Sequence, residues 1–124
     1  MDKKLKFLVV EDEFVNAILM EKQLKHIGHE VLNHVATGEN AIISARQNPP
    51  DIILMDIRLA GEIDGIEAAA AIKSESDIPI IFITGYDDQS VRERAEKINP
   101  LGFLTKPLAI NEFKEVIGAY LCKV

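Results

Sequence analysis

Five short apolar runs punctuate the chain: LKFLVV (5–10), EVLNHV (30–35), DIILM (51–55), IPIIFIT (78–84) and LGFLT (101–105). Their length and their content of branched and aromatic side chains predict strands. The stretches between them carry a helical period instead. Phe14, Ala17, Met20, Leu24 and Ile27 recur every three or four residues, with Gly28 following as a stop, which predicts an amphipathic helix with those five side chains on its core stripe. Ala41, Ile42 and Ala45 mark a second helix, ended by Pro49 and Pro50. Ile66, Ala69 and Ile72 mark a third, Val91, Ala95 and Ile98 a fourth, and Ile110, Phe113, Ile117 and Leu121 a fifth.

Strict alternation of strand and helix, with strands that are apolar almost throughout, predicts an α/β protein whose parallel sheet is covered on both faces. Right-handed crossovers leave few topologies, and for five βα units the common doubly wound strand order is 2-1-3-4-5. Ligands of such sheets bind outside the carboxyl ends of the strands. Glu11 and Asp12 follow the first strand, Asp56 the third, Thr84 closes the fourth and Lys106 follows the fifth. The first and fourth strands flank the third in this order, one step of about 4.8 Å away, and Lys106 starts about 10 Å off, within reach of its long stem.

Each of these residues has an ordinary structural explanation. The acids Glu11, Asp12 and Glu13 would cap a helix, Asp56 would sit in a turn, Thr84 would be a cap, and Lys106 an incidental cation before a helix that opens at Pro107. What outweighs those readings is convergence on one crevice. Two carboxylates about 4 Å apart repel by about 4 kcal/mol at an effective dielectric near 20, so such a cluster protonates or holds a cation. An all-oxygen donor set without His or Cys selects a hard ion, and open positions for water and phosphate suit Mg²⁺ or Mn²⁺. With Lys106 and the Thr84 hydroxyl beside the ion, Asp56 would act as nucleophile and form an aspartyl phosphate.

Composition narrows the rest. The 124 residues suit one domain, taken as 1–124, and 48% hydrophobic with 27% charged residues describe an ordinary globule. A formal charge of -6 argues against a nucleic-acid footprint, and the basic Lys3, Lys4 and Lys6 precede an apolar run too short for a signal core or a membrane span. A cytoplasmic location with no membrane partner is the expectation. Cys122, the single cysteine, is expected to be a small packing residue.

The segments VVEDE, ILMDIRL, IFITGY and FLTKP, in this order, resemble the four signature segments of the response regulator receiver domains of two-component signalling, over essentially the whole chain. The resemblance implies a flavodoxin-like (βα)5 fold and phosphorylation of Asp56 by a histidine kinase or histidine phosphotransfer protein. It makes Glu11, Asp12, Asp56 and the Arg58 backbone carbonyl the ligands of Mg²⁺ or Mn²⁺, Lys106 the phosphate-binding lysine, and Thr84 with Phe103 the switch pair. It also implies a cis bond between Lys106 and Pro107. Arg58 and Tyr86 would flank the pocket mouth and slow dephosphorylation. Val15, Leu19 and Lys22, on a ridge beside the first helix's core stripe, would dock the phosphodonor. A phosphorylation-dependent homodimer or partner would use residues 87–121. Two departures stand out: Glu11 occupies a position where many members have Asp, so its longer arm would reach the ion through water, and the loop RLAGEIDG lacks a frequent proline and runs one residue longer.

Other functions fail on specific absences. A flavin-mononucleotide module needs hydroxyls and glycines after the first strand, where three carboxylates would repel its phosphate. A P-loop needs G-x-x-x-x-G-K-[ST], which does not occur. A haloacid-dehalogenase-type phosphatase places its nucleophile in D-x-D after the first strand. The remaining rival is a receiver-shaped interaction module that never takes phosphate. No output domain follows the fold, so the expectation is a single-domain regulator or a piece of a larger chain.

Overall fold

The computed structural model describes residues 4–85 and 89–123. Five strands and five helices alternate: β1 (Lys6–Val10), α1 (Phe14–His26), β2 (Glu30–Val35), α2 (Gly38–Gln47), β3 (Ile52–Asp56), α3 (Gly65–Glu75), β4 (Ile80–Thr84), α4 (Gln89–Glu96), β5 (Gly102–Thr105) and α5 (Ile110–Lys123). All pairings are parallel, in the order β2-β1-β3-β4-β5, as the alternation predicts. Among the described residues no helix is long and apolar enough to cross a membrane.

Strand parity sorts the core into two layers. Leu8, Val10, Ile53, Met55, Ile80 and Phe82 pack with Ala41, Ala45, Ile66, Ala69, Ile72 and Ala95 from α2, α3 and α4. Phe7, Val9, Ile52, Leu54, Ile81 and Ile83 pack with Met20, Leu24, Phe113 and Ile117 from α1 and α5. β3 is buried along its whole length, so the sheet has no solvated face there and period 2 cannot appear in its sequence.

Local chemistry sets the helix ends. α1 stops in a Schellman motif: Gly28 at φ 94° donates to Lys25 O at 3.0 Å and His29 N to Leu24 O at 2.9 Å. Thr37 caps α2 by accepting from Asn40 N at 3.1 Å. Asp64 and Glu67 form a reciprocal capping box at α3, and Arg94 of α4 reaches Asp64 at 2.8 Å, tying α4 to that cap.

Two expectations are corrected. Phe14 is not on the core stripe: it is 67% exposed, because it is the first residue of α1, outside both core clusters, with its ring beside His34 at 6.5 Å between centroids. Cys122 is exposed, because at about 100° per residue it falls on the face of α5 opposite the buried Phe113, so it is not a packing residue.

Candidate functional site

The carboxyl edge of the sheet brings together the residues that the strand order predicts. Glu11 is fully buried and Asp56 and Thr84 are 3% and 1% exposed, while Asp12 is exposed at the rim. Capping does not account for the acids: α1 has none in its first turn, and Glu13 at its N-cap position makes no side-chain cap bond. Glu11 instead turns back, its Oε2 accepting from Glu13 N at 3.1 Å.

Lys106 spans the predicted gap. Its Nζ donates to Asp56 Oδ2 at 2.9 Å and lies 2.7 Å from Glu11 Oε1. The latter contact is an ion pair without hydrogen-bond geometry, so the buried Glu11 Oε1 lacks a hydrogen-bond donor. The Lys106 backbone is fixed by N–H donation to Thr84 O at 2.8 Å, which ties the β5 end to β4, and the Lys106 to Pro107 bond is cis as expected.

The charges do not balance locally. Burial pushes the Asp56 carboxyl up, and the Glu11 charge adds to it against the opposing pull of Lys106, to a pKa of about 7. Burial also opposes ionisation of Glu11, but Lys106 and the Glu13 N–H outweigh it and hold that carboxyl below its ordinary value. Burial would lower Lys106, yet its two carboxylate partners hold the ammonium above its usual value. Two buried acids thus face one part-buried ammonium. One oxygen from each of Glu11, Asp12 and Asp56 lies within 4.8 Å of the others. Three hard oxygens, beside a buried Glu11 Oε1 that lacks a donor, fit a divalent cation such as Mg²⁺.

The β3–α3 loop has a defined path. Its mid-point is clipped to the start of α2: Ala60 bridges Thr37, and Glu39 accepts from Glu62 N at 3.2 Å beside Gly61, which is at φ 100°. It closes with Gly65 N donating to Ile57 O at 2.8 Å, bringing the Gly65 Cα against the Asp56 carbonyl. Arg58, exposed, opens the loop two residues after Asp56. Tyr86, the other predicted pocket-mouth residue, lies outside the described residues.

Thr84 is two residues past Phe82, so it shares that face of the sheet with Phe103, which pairs with Phe82. The half-buried Phe103 ring lies 6.5 Å from the Phe82 ring, and the Arg92 guanidinium covers it at 4.3 Å. On the other layer Val15 and Leu19 are 70% and 54% exposed, as expected of a ridge beside the core stripe. Leu19 and Lys22 line an open groove of about 430 Å³ with Asn16, Gln23, Pro107 and Lys106 itself.

Sequence reasoning missed Gly65, Glu39, Arg92 and His34. Only Gly65 left a local signal, since D-G-I-E is a capping sequence opening a helix. The other three act through contacts far apart in the chain.

Fold and site together define a doubly wound α/β domain with an acidic, lysine-bridged pocket at its carboxyl edge. The chain belongs to the response regulator receiver domain family, whose profile matches residues 7–118. It is 31% identical over 117 residues to the polar-differentiation response regulator DivK of Brucella ovis, covering 92% of this chain and 94% of that one. It is 30% identical over 105 residues to the transcriptional regulatory protein PdtaR of Mycobacterium tuberculosis, covering 85% of this chain but spanning about half, 51%, of that relative. Among solved structures, the signal receiver domain of a modulated diguanylate cyclase from Desulfovibrio desulfuricans G20 superposes with a TM-score of 0.89 at 37% identity, covering 98% of this chain and 96% of that one. The function is accordingly that of a receiver domain of two-component signalling.

Proposed function

We propose that Asp56 is the phosphoacceptor and that a histidine kinase or histidine phosphotransfer protein is its donor, in a Mg²⁺- or Mn²⁺-dependent reaction. The observation that carries this reading is Lys106 Nζ held 2.9 Å from Asp56 Oδ2, inside a cluster of three carboxylates. An Asp56 carboxylate oxygen attacks phosphorus, an O–P bond forms, and the P–N bond to the donor imidazole breaks, the electron pair leaving with the imidazole. Lys106, already on Asp56, swings with the phosphoryl group and donates to its oxygens, and Thr84 supplies a hydroxyl donor. Glu11, Asp12, Asp56 and the Arg58 carbonyl would hold the cation, which when bound supplies positive charge to the carboxylates and the phosphoryl oxygens. Incubation with acetyl phosphate tests the chemistry without the kinase: labelling should require Mg²⁺ and vanish with chelator. No labelling in either condition would leave an interaction module of the same shape.

Val15, Leu19 and Lys22 form the donor's docking ridge, supported by their exposure beside the groove that Lys106 lines. Val15→Ser with Leu19→Ser should slow phosphotransfer from the donor about tenfold or more while leaving acetyl phosphate labelling unchanged. Equal loss in both assays would mean that the pocket, and not a docking surface, was damaged.

Readout passes through Thr84 and Phe103 to residues 87–121, where a phosphorylation-dependent homodimer or partner would bind. Phe103 lacks a hydroxyl, and the Arg92 cation–π contact holds its ring in place of a hydrogen bond. Such a contact is worth about 0.5–1 kcal/mol at an exposed site, so Arg92→Ala should shift the Phe103 ring equilibrium about two- to fivefold. Ring and amide NMR with and without beryllofluoride and Mg²⁺ reads this; unchanged Phe103 signals in Arg92→Ala would remove Arg92 from the readout.

A further inference from the structure

β2 does not run in simple register along β1. Phe7 pairs with Val31 but Leu8 with Asn33, so Leu32 is skipped. Without that shift His34 would stand opposite Val10, whose side chain packs in the layer of α2 and α3; with it His34 pairs with Val9, in the layer of α1. A slip of one residue moves a side chain to the other face, and strand irregularities beside functional sites re-aim side chains in this way. The re-aimed ring is half-buried beside Phe14, and its Nε2 lies 2.9 Å from the backbone oxygen of Glu11. A carbonyl oxygen only accepts, so Nε2 carries the proton and donates.

The neighbouring backbone completes the clamp. Glu11 N donates to Val35 O at 3.0 Å, so both main-chain polar groups of Glu11 are held by successive residues of β2. The peptide that His34 grips joins Glu11 to Asp12. Asp12 is exposed, on a bend, and has no core packing to orient it.

We infer that His34 is a positioning residue of the acidic pocket, whose Nε2–H fixes the Glu11–Asp12 peptide so that the Asp12 carboxylate is aimed at the cation before it arrives. The inference rests on the metal reading of the pocket. Groups that orient metal ligands from behind typically change metal affinity about 10- to 100-fold when removed.

The test uses Mn²⁺ alone, its binding followed by electron paramagnetic resonance on the whole chain. His34→Met keeps bulk without a donor, and His34→Gln keeps an N–H at nearly the same reach. His34→Met should weaken Mn²⁺ binding about tenfold or more, while His34→Gln binds close to wild type and both melt near the wild-type temperature. Wild-type affinity in His34→Met, or equal weakening in both variants, overturns the inference while the metal reading stands. A wild-type chain that does not bind Mn²⁺ overturns both. Nitrogen-15 NMR of the wild-type ring at pH 8 decides independently of any variant: an Nε2–H tautomer agrees with the clamp, and an Nδ1–H tautomer contradicts it.

Discussion

Asp56→Asn is expected to eliminate Mg²⁺-dependent phosphoryl incorporation and, in metal-free buffer at pH 8, to make the fold more stable than wild type. The first effect follows from loss of the nucleophilic oxygen, with the fold left intact because the side chains are nearly isosteric. The second follows from the direction of the Asp56 shift. Its carboxyl, with an ordinary value of 3.8, is pushed up to about 7, so ionisation is harder in the folded chain than in the unfolded one. The folded state then holds more protons in that window, and the stability contributed by Asp56 falls as pH rises from 3.8 to about 7 and stays at its lowest above it. Replacing the carboxylate relieves that cost, less the charge-assisted bond from Lys106, leaving a gain of about 1 kcal/mol or more. Urea unfolding in chelator at several pH values measures it; the gap should close toward acid pH, and added Mg²⁺ should stabilise wild type far more than the variant. A variant less stable than wild type at pH 8 would show that burial and the Glu11 charge do not strain the site.

Gly65→Ala should be the most damaging small substitution in the chain. Gly65 opens α3 with ordinary helical geometry, so the issue is space and not backbone freedom. A Cβ there would overlap the Asp56 carbonyl oxygen and press on the Ile57 Cα, both backbone atoms that cannot step aside as a side chain tip would. Either the β3–α3 loop opens, with loss of the Gly65 N–H bond to Ile57 O, or the Asp56 peptide is displaced. A destabilisation of about 3 kcal/mol or more is expected from such overpacking together with a lost buried hydrogen bond. Denaturant unfolding checks it, and acetyl phosphate labelling of the folded fraction shows whether Asp56 has moved. A change below about 1 kcal/mol with normal labelling would mean the loop has slack that the close approach does not reveal.

Much of this site is legible in the sequence because it depends on strand ends, and strand ends follow from apolar runs and turn chemistry. Glu11, Asp12, Asp56, Thr84 and Lys106 occupy the carboxyl edge as soon as the strand order is known, and the reach of Lys106 across two strands is a matter of stem length. The misses have a different origin. Phe14 satisfies the helical period but stands at the first position of α1, outside both core clusters, and a period carries no information about where the partner layer ends. Cys122 lies on the face of α5 opposite Phe113, and a lone small side chain does not announce which face it takes. His34 is hidden by the skipped Leu32, because a shift in register reverses every later side chain and leaves no mark in composition. Glu39 and Arg92 act on Gly61–Glu62 and Phe103 through contacts that exist only once the layers are assembled.

The most direct measurement is chemical location of the phosphoryl group. Wild-type protein phosphorylated by acetyl phosphate with Mg²⁺ is reduced with borohydride, which converts an aspartyl phosphate to homoserine, and the digested peptides are sequenced by mass spectrometry. Homoserine at position 56, absent when Mg²⁺ is chelated and absent in Asp56→Asn, is the predicted result. Homoserine at another aspartate, or phosphate that survives on a hydroxyl side chain with position 56 unmodified, would contradict it.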